Sequence, residues 1–158
     1  MEQQPVVEMR RVKKSFDGFD VLRGVDLSIY ERETVVVIGR SGTGKSVSLR
    51  HIVGLEHPDE GTVRVFGRDL RKLSKKELLR TRLRMGFLFQ SGALLGWMTL
   101  EENVALPLLE HRKGISPEEV ESRVVEKLRL VGLESARRKL PSEISGGMKK
   151  RAALARAT

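Results

Sequence analysis

The chain has 158 residues, with 30 Lys and Arg against 21 Asp and Glu, a formal charge of +9, and no Cys. The absence of Cys excludes disulfides and thiolate metal centres within these residues. With 39% apolar and 32% charged residues, no apolar run of membrane-spanning length and no apolar signal segment between Met1 and Phe16, the expectation is one soluble domain.

Residues 5–30 read as strands: 6–10, then 20–22, then 25–29, with turns at Asp17-Gly18 and Arg23-Gly24. The pattern predicts an antiparallel β-layer. Within it Phe16, or its rival Phe19, offers a ring that can stack on a nucleotide base, or simply a core phenylalanine.

Residues 34–38, Thr-Val-Val-Val-Ile, predict a strand buried on both faces. Directly after them come Gly39, Arg40, Ser41, Gly42, Thr43, Gly44, Lys45 and Ser46, with Val47 opening a helix. Two glycines, then Lys and Ser, at this spacing form a P-loop. Glycines let the backbone curl so that successive N–H groups converge on phosphate oxygens. The Lys45 ammonium reaches the β- and γ-phosphates, and the Ser46 hydroxyl can hold Mg²⁺. The helix that follows places the positive end of its dipole beneath the anion. Nucleoside triphosphate binding is therefore the expected chemistry.

Farther on, residues 61–67 alternate as a strand, and residues 74–84 form a basic helix with Ser74 and Glu77 at capping-box spacing. Nine basic residues between Arg64 and Arg84 face only Asp69 and Glu77. That bias is either a footprint for anionic lipid, nucleic acid or an acidic partner, or a plain solvated surface. Residues 86–90 read as a short strand ending in Gln90, a place where open α/β sheets meet ligands. Gln90 can touch Mg²⁺ or an attacking water there, or bond to backbone as a loop glutamine. The loop 91–98 holds Leu94, Leu95, Met98 and the only Trp, Trp97. Helices are expected over 100–109 and over 116–131, the latter with a Ser116/Glu119 capping box, Pro117 at its first position and Gly132 after its end. Ser145, Gly146 and Gly147 precede a last helix from Met148. Alone they are either an N-cap turn or a second anion site.

Taken together, these motifs resemble the nucleotide-binding subunit of an ABC transporter, along essentially the whole chain. Residues 39–46 match that family's Walker A, Phe16 its base-stacking aromatic, Gln90 its Q-loop glutamine, and residues 144–148 its signature, with Ile144 in place of the usual Leu. Residues 88–94, 102–108 and 145–157 look like the ATPases of bacterial Mla-type phospholipid-trafficking systems, which work with MCE lipid-binding proteins. Met148, where most ABC proteins carry Gln, belongs to that likeness.

The resemblance implies an α/β P-loop NTPase fold of ABC type, with an N-terminal antiparallel β-layer and a helical subdomain. Its expected parts are 1–90 for the β-layer and P-loop core, 91–140 for the helical subdomain, and 141–158 for the signature and its helix. It further implies ATP and Mg²⁺ as ligands, with the metal on Ser46 and Gln90. The implied partners are a second ATPase subunit, whose ATP is capped by Ser145, Gly146, Gly147 and Met148, and a membrane permease docked on Leu94, Leu95, Trp97 and Met98. An MCE protein is linked indirectly, no nucleic acid is expected, and the place is the cytoplasmic face of the bacterial inner membrane. Family members continue into a Walker B Asp and a catalytic Glu that match nothing here, so the 158 residues alone are expected to bind nucleotide with little turnover. An exposed apolar edge at 34–38 is expected to make them prone to aggregate.

Overall fold

The computed structural model describes residues 3–90, 92–111 and 114–158, without the side chain of His111. The chain forms two compact units, Met1–Met85 and Gly86–Thr158.

The first unit is built on a four-stranded antiparallel sheet in the order β2-β1-β3-β4. Its strands are β1 (Val7–Phe16), β2 (Phe19–Ile29), β3 (Glu60–Val65) and β4 (Arg68–Asp69). Asp17 (φ 48°) and Gly18 (φ 82°) make the two-residue hairpin between β1 and β2, the left-handed pair whose twist suits such a connection. Arg23-Gly24 does not turn the chain. Val12 pairs with Val25 and Lys13 with Arg23, so Gly24 (φ 96°) is an extra residue inside one continuous β2. The glycine marks a bulge, not a strand end.

A second bulge lies on β1 at residues 10–11, where Arg11 has φ 46° and its N–H donates to Asp26 Oδ1 at 2.9 Å. One inserted residue flips the alternation, so Met9 and Val12, three apart, both point into the core. There they pack with Leu22, Val63, Val65, Leu70 and Ile52, the last on helix α1 (Lys45–Ile52). Burying each such side chain stabilises the unit by about 1.5–3 kcal/mol.

Residues 34–38 depart from the expected buried strand. They carry no strand assignment, and Val36 and Ile38 are 73% and 89% exposed. A strand exists only through a ladder, and among the described residues no strand pairs with this run. Residues 86–90 likewise form no strand, for the same reason.

Helix α2 (Lys75–Arg82) follows the expected signal closely. The Ser74 hydroxyl and N–H donate to Glu77 Oε2 at 2.7 and 2.9 Å, and Arg68 binds the other carboxylate oxygen. Ser74, chiefly through its hydroxyl, and then Arg68 pull the Glu77 pKa from 4.5 down to about 2. A carboxylate depressed on folding contributes stability above its unfolded pKa and loses it as pH falls. Fraying of the first turn of α2, read by amide exchange, is therefore expected to grow as pH drops from about 4.5 to about 2. Glu77→Gln should flatten that dependence; an unchanged profile in the variant would remove the assignment.

The second unit is helical: α3 (Leu100–His111), α4 (Pro117–Leu130) and α5 (Gly146–Ala157). Leu100, Val104 and Leu108 recur at helical spacing on α3, as do Val120, Val124 and Leu128 on α4, and they share one core. From α5 only Ala152, Ala153 and Ala155 are buried, small residues that let this helix lie close to its neighbours. The Ser116 capping box forms in half: Ser116 Oγ accepts the Glu119 N–H at 3.2 Å, while the Glu119 carboxylate pairs with Arg123 instead. Gly132 (φ 66°) ends α4, with the Leu133 N–H donating back to the Leu128 carbonyl at 2.8 Å.

Candidate nucleotide-binding and signature loops

The loop 39–44 enters α1 through two left-handed glycines, Gly42 (φ 80°) and Gly44 (φ 86°). At Gly44 a Cβ would stand 2.7 Å from Leu22 Cδ2 and 3.1 Å from the Val21 carbonyl, so the sheet itself holds the loop against β2. Thr43 Oγ1 donates to the Arg40 carbonyl at 2.9 Å and stiffens the curve. The Lys45 ammonium folds back over the loop and donates to the carbonyls of Gly39 at 2.8 Å and Arg40 at 2.5 Å. Residues 41–42 form a hydrogen-bonded turn; after it, among the described residues, the N–H groups of Lys45, Ser46 and Val47 have no main-chain acceptor, and the exposed Ser46 hydroxyl has no protein partner. Unpaired donors beside an ammonium at the positive end of a helix fit a polyphosphate; a free hydroxyl at the second helical position fits an Mg²⁺ ligand. Residues 39–43 are exposed, while Gly44 is buried against β2.

Phe16 and Phe19 face each other across the Asp17-Gly18 turn, 37% and 77% exposed. Lys14 Nζ lies 5.3 Å from the Phe16 ring centroid and also pairs with Asp59 at 2.8 Å. Asp59 Oδ2 accepts the Ser15 N–H as well, which fixes the strand that carries Phe16. Phe16 is thus the anchored ring and Phe19 the free one.

In the second unit, Gln90 is exposed at the start of the loop, and Ser91 lies outside the described residues. Leu94, Leu95 and Met98 are half-buried, while Trp97 is 76% exposed. What holds this loop is Asn103, fully buried on α3. Its Oδ1 accepts the Leu95 N–H at 2.8 Å, and its Nδ2 lies 3.0, 3.0 and 2.9 Å from the carbonyls of Leu95, Met98 and Thr99. Arg156, on α5, donates to the carbonyls of Ala93 and Gly92 at 2.7 and 2.9 Å. Sequence reasoning assigned neither residue this role. A polar residue inside the apolar face of α3 was the available signal for Asn103, and Arg156 left none.

Ser145 is the N-cap of α5: its Oγ accepts the Met148 N–H at 3.3 Å, which leaves its own proton free to donate. Gly146 and Gly147 are exposed, with nothing within 4 Å of where a Cβ would project. Ile144 is buried in the helical core, where its apolar bulk fills the place expected for Leu. An open cleft of about 380 Å³ between α3 and α4, lined by Leu109, Val120, Val124 and Arg137, contains none of these site residues. The chemistry sits on the loops.

An antiparallel β-layer carrying a glycine loop into a helix, together with a helical unit whose capped helix opens on Ser-Gly-Gly, defines a P-loop ATPase cassette. Residues 22–158 match the ABC transporter family, and the chain belongs to it. It is 46% identical over 151 residues to the probable ribonucleotide transport ATP-binding protein mkl of Mycobacterium leprae, and 43% identical over 152 residues to the methionine import ATP-binding protein MetN of Clostridium acetobutylicum. Those matches cover 96% of this chain but 43% and 47% of the two relatives, so the chain spans less than half their length. The dimeric ATP-binding cassette MJ0796, solved in a post-hydrolysis state with ADP and phosphate, superposes with a TM-score of 0.88 at 35% identity, covering 96% of this chain and 68% of that one.

Proposed function

We propose that this chain is the ATP-binding part of an ABC transporter subunit whose cargo is phospholipid in the bacterial envelope. The observation that carries the ATP reading is the loop 39–44, exposed over 39–43, which enters α1 through left-handed glycines with the Lys45 ammonium resting on two loop carbonyls. The phospholipid reading rests on the likeness of residues 88–94, 102–108 and 145–157 to Mla-type ATPases. The relatives' names support a second reading with another cargo, a ribonucleotide or an amino acid.

On nucleotide binding, Lys45 exchanges the Gly39 and Arg40 carbonyls for β- and γ-phosphate oxygens, and the N–H groups of the loop receive the remaining oxygens. Ser46 and Gln90 would hold Mg²⁺, which when bound neutralises charge on the transferring phosphoryl group. Phe16 stacks the base. An open loop does not exclude water by itself, so a second wall is required. Ser145, Gly146 and Gly147 of a second subunit supply it, donating to the same triphosphate across a two-fold axis. Leu94, Leu95, Trp97 and Met98 then carry the closing motion to a permease at the inner membrane, with an MCE protein beyond it.

No acidic residue follows Glu143 in the 158 residues. Without a positioned base, turnover by this chain alone is expected about 10²–10⁴-fold below that of a complete site. The deciding experiment reconstitutes the complete subunit with its permease in vesicles and measures ATP-dependent movement of labelled phospholipid. Movement of a ribonucleotide or methionine and not of phospholipid would replace the cargo. Turnover of several per second by the 158 residues alone would overturn the account of the base.

A further inference from the structure

The basic stretch between Arg64 and Arg84 divides in two in the folded chain. Five cations serve the unit's own framework. Arg64 approaches Glu8 at 3.7 Å, Arg68 pairs with Glu77, and Arg71 donates to the Gly61 carbonyl at 2.6 Å. Arg82 donates to the carbonyls of Val53 and Gly54 at 2.9 and 2.6 Å, and the Arg84 guanidinium lies 3.8 Å over the Phe66 ring. Both acids of the stretch are consumed as well, Asp69 on the Arg71 N–H and Glu77 in the cap of α2.

The other four, Lys72, Lys75, Lys76 and Arg80, are exposed and have no partner among the described residues. At about 100° per residue, α2 and its C-cap bring Lys75, Leu79, Leu83, Lys76 and Arg80, in that order, across one arc of about 140°. Lys72 stands in the turn just before it. Leu79 and Leu83 occupy the middle of the arc, 47% and 50% exposed, with cations on both flanks.

We propose that this face docks on a layer of anionic lipid headgroups. Two leucines in the middle of a solvated cationic face cost free energy in water and gain it below the headgroup level, where flanking lysines keep their ammonium groups among the phosphates. A surface for single-stranded nucleic acid would place aromatic rings among the cations to stack bases, and this arc has none; a duplex, bound through phosphates alone, would gain nothing from the two leucines. The assignment does not rest on the transported cargo or on the nucleotide loop, since no residue of 39–47 belongs to the face.

The test is co-sedimentation of the 158-residue chain with vesicles of pure phosphatidylcholine and with vesicles enriched in phosphatidylglycerol. Binding is expected to the second only, and to weaken as salt rises. At roughly fivefold per cation near an anionic surface, the K72Q/K75Q/K76Q/R80Q variant should lose on the order of several hundred-fold in partitioning. The L79S/L83S variant should lose roughly tenfold, a loss that persists at high salt. A charge-matched control, R11Q/R32Q/R138Q/K139Q, should lose far less. Far-UV spectra report whether the variants fold; if the quadruple variant does not, Lys76→Gln and Arg80→Gln singly, each expected to lose roughly fivefold, take its place. Equal binding to both vesicles, no binding to either, or a control as impaired as the quadruple variant would overturn the proposal. So would polyglutamate or duplex DNA binding the chain as tightly as the anionic vesicles at equal charge, which would assign the face to a soluble polyanion.

Discussion

Replacing Lys45 by Ala is expected to lower the affinity for Mg·ATP by about 100-fold or more, since each lost hydrogen bond from an ionised donor is worth about 1.5–3 kcal/mol. The folded chain should barely notice. In the structure the ammonium is tied only to the carbonyls of Gly39 and Arg40, on a loop open to water that can solvate those carbonyls instead. The expected signature is therefore a large change in titration of a fluorescent ATP analogue with an unchanged thermal midpoint. Lys45→Arg should also bind weakly: charge is kept, but a planar fork does not replace a compact ammonium between two phosphates. An affinity within threefold of the parent for Lys45→Ala would mean that the loop is not the triphosphate site.

What the sequence disclosed about this molecule divides by the range of the interactions involved. The P-loop, the Ser74 box, the Asp17-Gly18 turn and the Gly132 stop are encoded within a few residues, and each stands where its local chemistry put it. The bulges at Arg11 and Gly24 were not legible, because the first is completed by Asp26, fifteen residues on, and Gly24 looks the same in a turn as inside a strand. The runs 34–38 and 86–90 failed for a related reason: high β-propensity describes what a segment would do beside partners, and the described residues supply none. For the site, the groups proposed to touch ligand, from Gly39 to Ser46 and from Ser145 to Gly147, are marked by residue type and spacing. The groups that position them did not. Asn103 and Arg156 organise the loop after Gln90 through main-chain carbonyls, and a carbonyl carries no sequence signal. Thr99 and Glu102 close a capping box on α3, with Thr99 N–H donating at 2.7 Å, by a pattern that the sequence did contain and that went unread.

Gly61→Ala is expected to destabilise the first unit by about 3 kcal/mol or more, and Gly18→Ala by about 1–2 kcal/mol. The two glycines have nearly the same φ, 84° and 82°, so the cost of a left-handed Cβ is common to both. Their surroundings differ. A Cβ at Gly18 meets nothing within 4 Å, whereas at Gly61 it would stand 2.4 and 2.3 Å from the carbonyl oxygens of Arg10 and Arg11. Backbone oxygens of a bulge cannot swing aside as a side chain does, so the ladder between β1 and β3 has to open. That ladder also seats Asp59, which holds Lys14 and the Ser15 N–H beneath Phe16. Loss of the bulge should therefore loosen the anchored ring, and base-dependent discrimination among nucleotides should fall in Gly61→Ala before phosphate binding does. Chemical denaturation of both variants and a comparison of ATP with inorganic triphosphate measure the two effects. Equal destabilisation by the two substitutions would show that the bulge yields, and that the close approach of Gly61 to β1 is not what fixes its register.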